Sequence, residues 1–346
     1  MTESVGLQTE MALWISGIVL AITVGGACAS EPLARPERAT LLLVRGAAGT
    51  EEFGRMFDEW ESRWREAAAR GDVAVRTVGI RADARPLDEF RQAIADESGE
   101  IERPLWIVLI GHGTFDGRDA KFNLTGPDVS AEKLAAWLQP VERPLAVIHC
   151  GAASAPFLDR LSRPGRVVIT ATKTGNEVNF ARFGEHLSHA IGDLAADLDK
   201  DGQVSLLEAF LTASRQTQNW YDGQQQLRTE HALLDDTGDG HGVRDDFFEG
   251  LLPVKAAEGG LELDGHRAHQ WHFVPSEEER RFPDELRPRR DELELEIARL
   301  RDRKAELDED AYYAELERLL VELAEVYEQA DADALEAGTH PVEAHE

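Results

Sequence analysis

From Ala39 onward, short apolar runs alternate with stretches in which apolar residues recur every three or four positions. Ala39 to Val44, Val73 to Val78, Leu105 to Ile110, Leu145 to Ile148 and Val167 to Thr172 are predicted strands with little polar alternation. Glu51 to Ala69 carries Phe53, Met56, Phe57, Trp60 and Trp64 at helical spacing. Further helices are predicted at Pro86 to Ala95, at Ala131 to Leu138 behind a Ser130 N-cap, at Ala155 to Leu161 and at Phe180 to Ile191. Apolar strands separated by helices imply an α/β fold with a mostly parallel sheet and helices on both faces. Ligands of such sheets bind beyond the carboxyl ends of the strands, where His112 and Cys150 fall.

Two amphipathic helices follow near the C-terminus, Asp291 to Leu307 and Asp310 to Ala330. Leu293, Ile297, Leu300 and Leu307 mark one apolar face, and Leu316, Leu320, Leu323 and Tyr327 the other. They are too short for a long coiled coil, so an antiparallel hairpin is expected. Its seam is either satisfied internally or open to a helical partner or a second copy through residues 291–330.

Ala12 to Ala29 is uncharged and about as long as the shortest bilayer spans. Ala27-Cys28-Ala29 fits a signal-peptidase site, and Gly-Ala-Cys allows lipidation at Cys28. Glu3 and Glu10 precede the run, while Arg35, Arg38 and Arg45 follow it, which by the positive-inside rule favours an inward body. The expectation is a membrane-associated or exported protein with a periplasmic or otherwise extracytoplasmic body. The expected organisation is a signal peptide or anchor (1–29), a linker (30–38), the α/β domain (39–193), a calcium-binding segment (194–250), a connecting segment (251–284), the hairpin (285–331) and a tail without fixed structure (332–346).

The 346 residues are 42% hydrophobic, enough for a real core, and their formal net charge of -29 would repel a phosphate backbone. Nucleic acid is therefore excluded as a partner, while divalent cations suit the carboxylate excess. Cys28 and Cys150 are the two cysteines, so the folded body has no disulfide framework and Cys150 is its lone thiol.

Asp197 to Glu208 (DLDKDGQVSLLE) fits the twelve-residue EF-hand loop at every informative position. Asp197, Asp199 and Asp201 offer oxygens at positions one, three and five. Gly202 permits the turn, the Gln203 carbonyl serves position seven, Ser205 acts directly or through water, and Glu208 closes the shell. Val204 is the apolar residue that packs the loop on a neighbour. A second, partial candidate begins at Asp235, with Thr237, Asp239 and Gly240 in its first half and Asp246 at position twelve. Its place next to the first loop suits the usual pairing of such loops. His266, His269 and His272 recur every three residues, a spacing that would split neighbours between the faces of a strand.

Gly111-His112-Gly113 ending one apolar strand and Cys150 ending the next resemble the caspase, metacaspase and legumain superfamily of cysteine peptidases, over roughly residues 39–191. The calcium loop and C-terminal helices look like attachments of bacterial legumain-like proteins. The resemblance implies a caspase-like fold and a protein or peptide substrate. It makes Cys150 the nucleophile and His112 the proton donor to the leaving amine, with the Gly113 and Cys150 N–H groups as oxyanion hole. The superfamily usually places an acidic residue or Gln and then a small residue before its Cys, where this chain has Ile148 and His149. The leading expectation is a calcium-dependent or calcium-stabilised cysteine endopeptidase. The competing one is a catalytically silent scaffold displaying the hairpin. A serine hydrolase is a weaker fit, because Gly151-Ala152-Ala153-Ser154 lacks the nucleophile elbow.

Overall fold

The computed structural model describes residues 39–80, 85–99, 103–260 and 262–336. The apolar segment Ala12 to Ala29, the linker and the last ten residues lie outside them. Among the described residues no helix is long and apolar enough to cross a membrane.

In chain order the elements are β1 (Thr40–Arg45), α1 (Glu51–Arg70), β2 (Ala74–Val78), α2 (Pro86–Asp96), β3 (Leu105–Ile110), β4 (Gly113–Phe115), β5 (Ala120–Phe122), β6 (Val129–Ser130), α3 (Ala131–Trp137), β7 (Leu145–His149), α4 (Ala155–Leu161), β8 (Arg166–Thr170), α5 (Phe183–Ala190), α6 (Leu206–Gly223), β9 (Leu233–Asp235), α7 (His266–Gln270), α8 (Glu277–Arg281), α9 (Arg287–Asp302) and α10 (Glu309–Glu336). The main sheet has the order β2-β1-β3-β7-β8-β9 and is parallel except for β9. Beyond the sequence reading, β4, β5 and β6 form a separate antiparallel ribbon. These strands are two or three residues long, too short to leave a periodic signal.

The sheet is buried on both faces because its strands are apolar at successive positions. Leu41, Trp106, Val108, Ile148 and Ile169 pack against Phe57, Trp60 and Trp64 of α1, Leu187 of α5 and Phe210 of α6. Leu42, Val44, Ile107, Val147 and Val168 pack on the other face, against Phe90 of α2, Leu134 of α3 and Phe157 of α4. Each fully buried aromatic of α1 contributes about 1.5–3 kcal/mol through removal of apolar area from water. Thr50 caps α1 by accepting from the Phe53 N–H.

The segment 194–250 is not an appendage. Leu206, Leu207 and Phe210 belong to the α1-side core, and β9 completes the sheet by pairing antiparallel with β8. The helix expected from Phe180 starts at Phe183, because the buried Glu230 carboxylate accepts the Arg182 and Phe183 N–H groups and caps it there.

The hairpin has a core of its own, in which Leu293, Ile297 and Leu300 of α9 meet Tyr312 and Leu319 of α10. α9 begins four residues earlier than expected because Pro288 suits a first helical turn. α10 runs to Glu336, past the expected boundary at 331, since Ala332, Ala334 and Leu335 favour helix. Leu320 and Tyr327, expected on the seam, are 45% and 43% exposed. The buried positions are one residue earlier, at Leu319 and, partly, Val326.

Polar contacts dock the hairpin on the body. Arg290 and Arg287 pair with Glu279, His266 faces Asp302 at 2.6 Å, and Gln270 donates to the Asp291 carbonyl. A chain ending at Phe282 and carrying Glu279→Gln, which removes the carboxylate left without its arginines, is expected to keep one cooperative unfolding transition by circular dichroism. Aggregation of that chain would place the hairpin in the main core.

Candidate active site and candidate metal loops

β2 and β3 flank β1, so the chain changes direction across the sheet between β1 and β3. Two loops meet at this switch point. His112, just after β3, places Nε2 3.2 Å from the Ala48 carbonyl oxygen, just after β1. A carbonyl only accepts, so the neutral ring carries its proton on Nε2 and leaves Nδ1 as the basic nitrogen. The ring sits in an aromatic nest, with centroids 4.8 Å from Phe53, 5.4 Å from Phe57 and 5.7 Å from Phe180.

Cys150 and His112 lie on the same face of the sheet, the α1 side. The thiol, however, is packed inward. Cys150 is 1% exposed and belongs to the core cluster of Phe57, Trp60 and Phe183. A Cβ built on Gly184 of α5 would fall 2.4 Å from Cys150 Cβ, 2.9 Å from its Sγ and 2.8 Å from the Trp60 ring. Only glycine lets α5 approach this closely. Among the described residues no hydrogen bond or ion pair reaches the sulfur, and burial pushes the thiol pKa up to about 12. The Cys150 N–H, expected in the oxyanion hole, donates to the Leu109 carbonyl at 3.0 Å and so extends the β3–β7 ladder.

Gly113 has a packing reason to be glycine, since a Cβ there would lie 2.1 Å from the Ala152 carbonyl oxygen. His149 points to the opposite face, as its position on a strand dictates. Its ring lies between Phe122 and Phe157, Nδ1 accepts the Gly151 N–H, and burial lowers its pKa to about 3. Ser154 is buried, with its hydroxyl 3.1 Å from that of Thr172, and is no exposed nucleophile. The segment 173–182 covers the His112 side of the site. Phe180 packs on His112, and Glu177 pairs with His231 at 2.6 Å.

The loop Asp197 to Glu208 is closely ordered. Asp197 Oδ1 accepts the Lys200 N–H at 2.7 Å and its Oδ2 the Gly202 N–H at 3.2 Å. Asp201 Oδ1 accepts the Gln203 N–H, and Lys200 and Gly202 take positive φ values of 67° and 88°. Glu208 Oε1 accepts the Leu198 and Asp199 N–H groups, while Oε2 accepts from Ser205. Glu208 therefore closes the loop and completes the capping box of α6 in one step. Carboxylate oxygens of Asp197, Asp199 and Glu208 lie within 4.8 Å of one another, with Asp197 and Glu208 buried. This compact set of hard oxygen donors fits calcium.

The two loops do not pair with each other. Ser205 bridges to His272, and the Leu206 N–H donates to the Trp271 carbonyl. The partner strand thus comes from the connecting segment. The three histidines have separate partners: His266 of α7 meets Asp302, His269 Nε2 is 3.1 Å from Asp199 Oδ2, and His272, beyond the end of α7, is buried, which lowers its pKa to about 4.

In the second loop Asp235 is buried and Asp239 partly exposed, but Asp246 does not close the loop. Its side chain is 60% exposed and paired with Arg244 at 2.7 Å. It sits in a short 3-10 turn at residues 245–247. Two residues absent from the sequence reading are buried here, Asp236 as the second residue of the loop and Asp264 beside it. Burial first, and then the charges of Asp236 and Asp235, raise the Asp264 carboxyl pKa well above the ordinary range. No spacing template points to Asp264, which lies far along the chain from the loop it serves.

No protein-family model matches the chain, and no curated protein does. Solved structures similar to it include the Drosophila initiator caspase Dronc, at 14% identity and TM-score 0.41, covering 71% of this chain and 97% of that one. A Geobacter sulfurreducens protein is 13% identical with TM-score 0.38, covering 58% and 93%, and caspase-1 from Spodoptera frugiperda is 10% identical with TM-score 0.35, covering 58% and 86%. At these identities and scores the likeness assigns no role to any residue.

Proposed function

We propose that this chain is a calcium-binding protein in which a caspase-like sheet serves as a scaffold, with Cys150 as a packing residue and the loop 197–208 as the metal site. The convergence of the Asp197, Asp199 and Glu208 oxygens carries the calcium reading. Calcium would be held by these carboxylates, by Asp201, by the Gln203 carbonyl and by Ser205 directly or through water. It would neutralise a cluster whose mutual repulsion otherwise opposes the close approach of α6 to the turn after α5. Calorimetric titration of the whole chain with calcium chloride is expected to give saturable heat that Glu208→Gln reduces. No heat in the wild type would remove this reading.

The placement of His112 and Cys150 on one face, at the ends of adjacent strands, favours a second reading. In it the chain is a cysteine endopeptidase whose site is shut in this conformation and opens when the segment 173–182 moves. An acyl-oxymethylketone probe that labels the wild type, but neither His112→Ala nor Cys150→Ala, would establish that reading.

As a scaffold the chain would present α10. Tyr313, Leu320 and Val321 are 49%, 45% and 52% exposed and border a shallow apolar groove with Leu316 and Ala324. Association through 291–330 is expected to weaken in Leu320→Glu/Val321→Glu, read as a fall in sedimentation coefficient at high protein concentration. An unchanged, concentration-independent monomer in both chains would exclude self-association.

A further inference from the structure

We infer that the loop beginning at Asp235 is a second calcium site, closed by Asp264 from the connecting segment rather than by any acid of its own loop. The inference takes the first loop as its geometric template, and so rests on the calcium reading of that loop.

The two loops share their internal hydrogen bonds position by position. Asp235 Oδ1 accepts the Gly238 N–H at 2.8 Å and Oδ2 the Gly240 N–H at 2.9 Å, as Asp197 does from Lys200 and Gly202. Asp239 Oδ1 accepts the His241 N–H at 2.8 Å, as Asp201 does from Gln203 at 3.0 Å. Gly238 and Gly240 have φ values of 83° and 82°, matching the left-handed residues of the first loop.

The closing carboxylate decides the comparison. In the first loop Glu208 accepts the N–H groups of the second and third residues, Leu198 at 2.6 Å and Asp199 at 3.3 Å. In the second loop Asp264 Oδ1 accepts the same two groups, from Asp236 at 3.0 Å and Thr237 at 3.3 Å. Asp264 therefore stands where Glu208 stands. Asp236 holds it there by accepting the Gly265 and Ala268 N–H groups, so the loop and the segment carrying Asp264 clamp each other.

An independent observation points to the ligand. Asp264 is 1% exposed, and its Oδ2 is buried without a hydrogen-bonding partner. A buried carboxylate oxygen with nothing to bind is costly, and a hard cation held at this loop would satisfy it. Asp235, Thr237, Asp239, the His241 carbonyl and Asp264 then make an all-oxygen shell of the kind calcium takes. Asp246 has no part in it.

The test is calcium stoichiometry, by equilibrium dialysis of the full chain. The wild type is expected to bind two ions, Asp264→Asn one, and Asp246→Asn still two. Glu208→Gln is expected to bind one, through the second loop alone, so failure of the first site reads differently from failure of the second. Asp264→Asn alters a buried cluster. If it does not fold, Asp239→Ala, at a side chain 22% exposed, supplies the decision by binding one ion while Asp246→Asn binds two. One ion in the wild type that Glu208→Gln abolishes, two in a folded Asp264→Asn, or a loss in Asp246→Asn would overturn the inference.

Discussion

Saturating calcium is expected to raise the thermal unfolding midpoint of the wild-type chain, and Asp197→Asn/Glu208→Gln is expected to lose the part of that rise that the first loop contributes. A ligand bound only by the folded state stabilises it by roughly 2.7 kcal/mol at a hundredfold excess over Kd. For a chain of this size, at about 2.1 cal/mol/K of unfolding entropy per residue, that corresponds to roughly 4 °C. The effect is large because the site joins core elements. Glu208 belongs to α6, whose Leu206, Leu207 and Phe210 pack on the sheet, and Asp197 follows the turn after α5. Like charges within 4.8 Å repel by on the order of 3 kcal/mol per pair at an effective dielectric constant near 20. Removing two of them relieves repulsion in the metal-free protein, so the variant need not start out less stable. The diagnostic quantity is therefore the increment on adding calcium, measured by scanning calorimetry. Equal increments in both chains would show the ion acting elsewhere.

The central strands were legible because each is largely apolar at successive positions, a pattern that a doubly covered parallel sheet imposes; the edge strand β2, with Arg76 and Thr77, departs from it. Leu105 to Ile110 was read at its observed bounds, and Ala155 to Leu161 likewise. The close acidic turn of Asp197 to Glu208 was legible because all its carboxylates are local, so spacing alone defines it. The placement of Asp264 against the second loop was not, because it comes from tertiary packing of a connecting segment without regular pattern. The inward packing of Cys150 was equally hidden. The strand pattern places both Cys150 and His112 at the carboxyl edge of the sheet, but whether α5 leaves room above the thiol depends on Gly184, far along the chain. β9 escaped notice because three residues following an irregular stretch carry no period. The hairpin face was misplaced by one residue at Leu319 and Val326, since Leu320 and Tyr327 offered an equally regular spacing on the same helix.

Alkylation of Cys150 by iodoacetamide tests the scaffold assignment most directly. With Cys28→Ser as background, Cys150 is the remaining thiol. Its pKa of about 12, against 9.0 for the ordinary thiol, lowers the thiolate fraction at pH 8 by about a thousandfold, and the thiolate is the species that reacts. Steric exclusion by Trp60 and Gly184 slows the reaction further. The measurement is the rate as a function of pH in saturating calcium, for the native protein, for the urea-unfolded chain and for His112→Ala. The expected result is a native rate at least about a thousandfold below the unfolded one at pH 8, with no plateau near neutral pH and no change in His112→Ala. Rapid alkylation of the native thiol near pH 7, slowed by His112→Ala, would contradict the scaffold account and leave the peptidase dyad in its place.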